Sequence, residues 1–311
     1  NPADLRPGAG KPFDRITYAN RPTDFRISDR GVSGQLDWEL SDALSLTSIT
    51  AYRYYKSNSG VDIDYSSADI WYRGSDGNSN QFKVFSQEAR LAYNSERINS
   101  ILGVFYADER LEARQNTFFG SDYERYFGLL LSGGTNPNAV SALTGIAAGS
   151  NFVPNTGQRD FHRHRASSFA VFTDNTFTIA DGLDLTLGIR YTDEVKRTTS
   201  HYTNTSPANA CAAALARRLP AAAITALCSP TSDVAFNDVT TQQRRPENRW
   251  AGSAKLQYRF SPSVMAYGSY ANGFKSGGFN LDRARTAIGV INPDTSFATE
   301  KVESYEIGTK T

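Results

Sequence analysis

No run of residues in this chain approaches the ~18 consecutive apolar positions that a membrane-spanning helix requires. The longest candidate, Ala212–Leu227, is broken by Arg217, Arg218 and Pro220. With a mean hydropathy of −0.47, a bundle of spanning helices is excluded. Net charge is nearly absent too, since 33 Lys and Arg offset 32 Asp and Glu to leave +1. Electrostatics therefore gives no reason to expect a nucleic-acid partner. Methionine occurs once. Catalytic signatures are missing: there is no G-x-S-x-G elbow, no C-x-x-C and no P-loop. Gly273, Gly277 and Gly278 make no dinucleotide fingerprint, because no βαβ unit surrounds them. An enzyme is not expected, nor a cofactor.

The few residues that could hold a metal are poorly arranged for it. His162 and His164 stand at i, i+2 in FHRHR, with His201 far away. Such a pair is more often a solvated strand end than a metal site. Asp62, Asp64 and Asp69 share a polar segment and offer oxygen ligands suited to calcium, without EF-hand spacing. The two cysteines, Cys211 and Cys228, lie in one loop and are expected to pair in an oxidising compartment. Asn1–Gly10 is polar with two prolines and does not read as a signal peptide.

What is plentiful is Tyr (16) and Phe (18), which suits strands better than helical packing. Trp250, Gly252, Ala254, Leu256, Tyr258 and Phe260 share one parity, and Ala251, Ser253, Lys255, Gln257 and Arg259 the other. This period of two predicts a strand with one apolar and one polar face. From Trp250 to Phe260 the strand runs about 33 Å, which a ~40° tilt reduces to about 25 Å of height. That is the apolar band of an outer-membrane barrel, with an aromatic at each edge.

Similar strands are predicted at Gly31–Leu40, Leu44–Tyr55, Gln81–Tyr93, Ile98–Glu109, Ala166–Ile179, Leu183–Tyr191, Val264–Lys275 and Val302–Lys310. Ile49 breaks the parity of its strand, and Asp174 with Asn175 puts polar groups on both faces of another. The connections alternate between short turns and the long stretches 57–80, 110–164, 198–247 and 276–300. Soluble sandwiches lack this alternation; outer-membrane barrels have it, with the long loops extracellular. Short helices are expected near Ala139–Ala148 and in the Ala-rich part of 198–247.

The predicted fold is all-β, a part of a large antiparallel transmembrane barrel contributing about nine strands. An odd count with two open edges is not viable in lipid. Residues 1–311 are therefore expected to be an internal piece of a longer chain. Trp38, Tyr52, Tyr54 and Tyr191 are candidates for the aromatic girdles, with Trp250, Tyr258, Phe260 and Phe274. The polar parity places Asp37, Glu39, Glu88 and Arg90 in the lumen, with Arg190, Lys255 and Arg259. They are candidates for contact with a plug or simply a wetted wall.

Four segments carry a resemblance. YGSYANGFKSGGFN (Tyr267–Asn280) and EKVESYEIGTKT (Glu300–Thr311) resemble the barrel of TonB-dependent outer-membrane receptors, as more weakly do SITAYR (Ser48–Arg53) and FSQEARLAY (Phe85–Tyr93). The resemblance implies a barrel of ~22 strands around a plug domain. It implies a Gram-negative outer membrane, surrounding lipid, and uptake of a scarce small-molecule ligand such as a siderophore or oligosaccharide. It also implies power from the inner-membrane TonB complex. The plug and the TonB-contacting segment are not in this sequence. A passive porin is the alternative; a secreted β-rich adhesin would need its apolar faces covered by a second sheet.

Overall fold

The alternating segments form nine long strands. They are β1 (Phe25–Ser41), β2 (Leu44–Ser59), β3 (Ser79–Asn94), β4 (Ile98–Phe119), β5 (Gly157–Ala180), β6 (Leu183–Asn204), β7 (Val239–Ser261), β8 (Val264–Lys275) and β9 (Glu300–Lys310). The computed structural model describes residues 13, 19–205 and 209–311. Each strand pairs antiparallel with the next in sequence, so the sheet is a pure meander from β1 to β9. Among the described residues β1 pairs only with β2 and β9 only with β8, and the sheet stays open. No described helix is long and apolar enough to span a membrane.

Residues 42–43, 95–97, 181–182 and 262–263 make tight turns at one rim. In the Asp181-Gly182 turn, Gly182 has φ +76°, and a Cβ there would stand 2.7 Å from the Arg259 carbonyl oxygen. Glycine adopts that left-handed conformation without steric cost. The opposite rim carries the long connections.

The strands reach further into those connections than the sequence suggests. The irregular stretches are 60–78, 120–156, 205–238 and 276–299, shorter than the expected 57–80, 110–164, 198–247 and 276–300. β5 has 24 residues, roughly 80 Å of strand and ~60 Å of height after tilt, against an apolar band of ~25 Å. The surplus projects beyond the band at the long-loop rim. There the period of two persists, but Arg110, Glu112 and Arg114 replace the apolar residues that mark the parity below.

One sheet face carries Leu36, Leu91, Leu102, Val104, Val171, Leu187, Ile189 and Leu256, all exposed. All eight girdle candidates share this face. Tyr191 packs on Trp250 with centroids 4.9 Å apart, and Tyr258 on Phe260 at 4.8 Å. Tyr106 and Phe169, paired on adjacent strands, and Phe85 beside them continue the upper row between Tyr52 and Tyr191. Asn175 also points outward, which explains the mixed parity of β5. It accepts from Ser100 Oγ and donates Nδ2 to Thr173 Oγ1 at 2.9 Å, so these polar groups satisfy each other where water is absent. Ile49 lies on the inward face between Gln35 and Glu88.

The long connections pack a small core of their own. Helices α1 (Tyr123–Leu131), α2 (Ala139–Thr144), α3 (Ala210–Ala216) and α4 (Ala221–Leu227) gather around Phe119, Tyr123, Val140, Phe152 and Leu227. Burial pushes the Tyr123 phenol well above its ordinary pKa. Buried Glu124 ties the layer together, accepting from Ser141 Oγ at 3.0 Å and Asn151 Nδ2 at 2.9 Å.

Candidate functional site

The inward face and the segment folded across it form the candidate site. Residues 276–299 leave β8, cross the inner wall of β5–β7 and return to β9. The base of this strap is held by the wall: Lys196 Nζ donates to the Gly277 carbonyl (2.8 Å), Glu247 Oε2 accepts from Gly277 N–H (3.1 Å), and Glu247 Oε1 accepts from Thr299 Oγ1. Glu247 also meets Arg249 at 3.1 Å. At the strap's far end Arg283 donates Nε and Nη2 to Asp160 at 2.8 and 2.7 Å, with both side chains 1% exposed. The same guanidinium donates to Asn204 Oδ1 (2.8 Å) and to the carbonyls of Pro230 (2.8 Å) and Thr203 (2.9 Å). A buried fork of five donors is suited to such a set, and Lys could not serve it equally.

The neighbouring loop takes part. Arg285 donates to Asp233 and, at 2.6 Å, to the Cys228 carbonyl. Cys228 is joined to Cys211 by a disulfide across 17 residues. The bridge fixes α3 against α4 and so the carbonyl that receives Arg285. Closing a loop of this size contributes about 3 kcal/mol in the chain-entropy model. We expect a Cys211→Ser/Cys228→Ser variant to become sensitive to trypsin at Arg217 and Arg218, without losing its strands. An unchanged cleavage pattern would show that the bridge does not hold the loop.

The seven lumen-side candidates all lie on the inward face, but they do not converge. Asp37 accepts from Thr47 Oγ1 (2.8 Å) and Gln35 Nε2 (2.7 Å), and Glu88 meets Arg90 at 2.9 Å, two strands away. Arg190 lies 5.6 Å from the Phe105 and Phe172 ring centroids. Phe172 in turn covers Gly103, where an added Cβ would stand 2.2 Å from the ring. Among the described residues, the side chains of Glu39, Lys255 and Arg259 make no ion pair. They sit near the tight-turn rim, far from the strap.

The residues that fasten the strap at its two ends, Lys196 with Glu247 and Asp160 with Arg283, escape a reading of the sequence alone. Glu247 and Lys196 follow the inward parity once the strands are known to extend past the band. Arg283 gives no such signal, because nothing local marks an irregular segment as folding inward.

His162 and His164 also face inward, beneath the strap. His162 Nδ1 lies 2.9 Å from Ser200 Oγ, and the His164 ring meets Phe279 edge-on. His201 points to the opposite face, 2.7 Å from Asp238. The three aspartates of 60–78 are engaged separately. Asp62 accepts from Asn20 N–H (2.7 Å), Asp64 from Trp71 N–H (2.9 Å), and Asp69 takes both arms of Arg21. Burial works to raise the Asp69 pKa, but the donors of Arg21 and Ser121 outweigh it and hold the carboxyl below its ordinary value.

The model of the family described as TonB dependent receptor-like, beta-barrel matches residues 1–311. Among solved structures, the chain is similar to the ferric yersiniabactin uptake receptor FyuA of Yersinia pestis, with a TM-score of 0.60 and 14% identity over 93% of this chain. It is similar to the siderophore receptor PiuA of Acinetobacter baumannii (0.55, 15%, 92%) and to the ferric-catecholate import receptor Fiu of E. coli K12 (0.53, 14%, 92%). These likenesses concern the fold. The chain spans 34% of FyuA and 38% of PiuA and of Fiu. No curated protein matches it in sequence.

Proposed function

Because the chain belongs to the TonB-dependent receptor-like β-barrel family of the Gram-negative outer membrane, we propose that it serves energy-coupled uptake of a scarce ligand, a ferric siderophore in the first instance. The family consists of receptors and transporters rather than enzymes. The observation that carries the reading is the nine-strand meander with its apolar outer band, matched over more than nine-tenths of its length by FyuA, PiuA and Fiu. In this reading the long-loop rim faces outside, and the strap 276–299 and the disulfide loop stand at the ligand's entrance. The inward charges Asp37, Glu88, Arg90 and Arg190 face a plug supplied by the rest of the protein.

The test compares cells carrying the full-length protein with and without TonB. Accumulation of radiolabelled ferric siderophore is expected to fall to background in the strain lacking TonB, and purified protein is expected to give no steady conductance in a planar bilayer. Uptake that persists without TonB, together with an open channel of constant conductance, would establish the passive porin instead.

A further inference from the structure

Cross-strand register places like charges directly opposite one another above the upper aromatic row. Lys83 pairs with Arg110, Arg110 with Arg165, Arg165 with Arg197, and Arg197 with Arg244. The same rung continues through Tyr54 to Arg30. All these side chains are on the outward face. Like charges directly opposite in a sheet are destabilising, and here the clash is repeated at four successive pairs. One anion relieves it: Asp108 lies 2.7 Å from both Arg110 and Arg165. Among the described residues the side chains of Arg30, Lys83, Arg197 and Arg244 have no hydrogen-bond or ion-pair partner. Six of the chain's 33 Lys and Arg stand in this one line.

The line has a definite height. Lys83 lies two residues past Phe85, Arg110 and Arg165 four past Tyr106 and Phe169, and Arg197 and Arg244 six past Tyr191 and Trp250. With strand rise and tilt this places the cations from ~5 to ~15 Å beyond the aromatic row. That is the depth of headgroups and their attached sugars. Guanidinium groups bind phosphate through paired hydrogen bonds.

We propose that this cationic row is a docking surface for the phosphorylated headgroup of the outer-leaflet glycolipid, with several phosphates bridged along β3–β7. The inference rests on the long-loop rim facing outside. The phosphates supply the counter-charge that the sheet lacks, and they fix the depth at which the barrel rides in the membrane.

The test uses full-length protein extracted from outer membranes in mild detergent. Glycolipid phosphate retained per protein is measured by mass spectrometry for the native chain and for the Lys83→Gln/Arg197→Gln/Arg244→Gln variant, which leaves the Asp108 pairs with Arg110 and Arg165 intact. Retention is expected to drop by about tenfold or more. Heat-modified migration on gels reports whether the variant is folded. Melting in detergent free of glycolipid supplies a second measurement, in which the variant is expected to be at least as stable as the native chain because the repulsion is gone. Added glycolipid is expected to raise the native melting temperature and to leave the variant's unchanged; dephosphorylated glycolipid is expected to raise neither. Equal retention and equal shifts for both proteins would overturn the proposal. Ala148→Cys, probed in intact cells with an impermeant maleimide, reports the sidedness separately. Labelling without any glycolipid effect defeats the docking surface alone, whereas no labelling defeats the sidedness and the docking surface with it.

Discussion

Asp160→Ala is expected to release the strap. Arg283 would keep three carbonyl acceptors but lose its counter-charge while still buried, and removing one partner of a buried pair costs about 3–5 kcal/mol. The loss is local, since the strap and not the sheet depends on this contact. Trypsin, which cuts after arginine, is expected to cleave at Arg283 and Arg285 in the variant and to spare both in the native chain. Arg283→Met is expected to be milder on the wall, because Asp160 retains donors from Gln158 Nε2 at 2.7 Å and Thr203 N–H at 3.2 Å. In the double variant Asp160→Leu/Arg283→Met most of the stability lost in Asp160→Ala is expected to return, since no charge is left unpaired. Losses that simply add would mean that the two side chains act independently and that the ion pair is not what fastens the strap.

Leu187→Arg is expected to impair barrel assembly severely, and its neighbour Thr186→Arg hardly at all. Leu187 is exposed on the outward face between the rows marked by Tyr191 and Tyr258, opposite Asn175 and Ala254. An arginine there would meet hydrocarbon near the midplane, at about 2–4 kcal/mol. Thr186 faces the other way, 2.9 Å from Thr176 on the inner wall, where water accepts a charge. The yield of heat-modifiable protein in outer membranes measures the difference. Comparable yields for the two variants would overturn the assignment of the faces.

The sequence carries those faces plainly and the rest unevenly. Within the apolar band of β6 and β7 the outward apolar residues alternate with mostly polar inward ones, as Leu185, Leu187 and Ile189 do with Asp184, Thr186 and Arg190, so parity, strand order and tight turns can be read locally. Beyond the band both faces are polar. Arg163 and Arg165 alternate with His162 and His164 as regularly as Leu187 and Ile189 alternate with Gly188 and Arg190, but no hydrophobic contrast marks them. Strands therefore seem to end at the membrane surface when they do not. α1 escapes notice because its apolar residues lie inside a long connection that reads as irregular; its N-cap residue, Asp122, makes no side-chain cap bond. The site depends on a contact across 123 residues, from Asp160 to Arg283, and no local pattern encodes a contact of that range.

The meander has a kinetic consequence. Every rung of the nine-strand sheet joins chain neighbours, and across the tight turns the loop to be closed is only a few residues long. The entropy of bringing partners together is then small at those steps and grows only slowly at the longer connections. Such a sheet can be zipped up one hairpin at a time in the order the chain is delivered, each finished strand templating the next. The strap breaks this order. Its anchor Asp160 precedes Arg283 by 123 residues, so this contact closes a longer loop than any rung of the sheet.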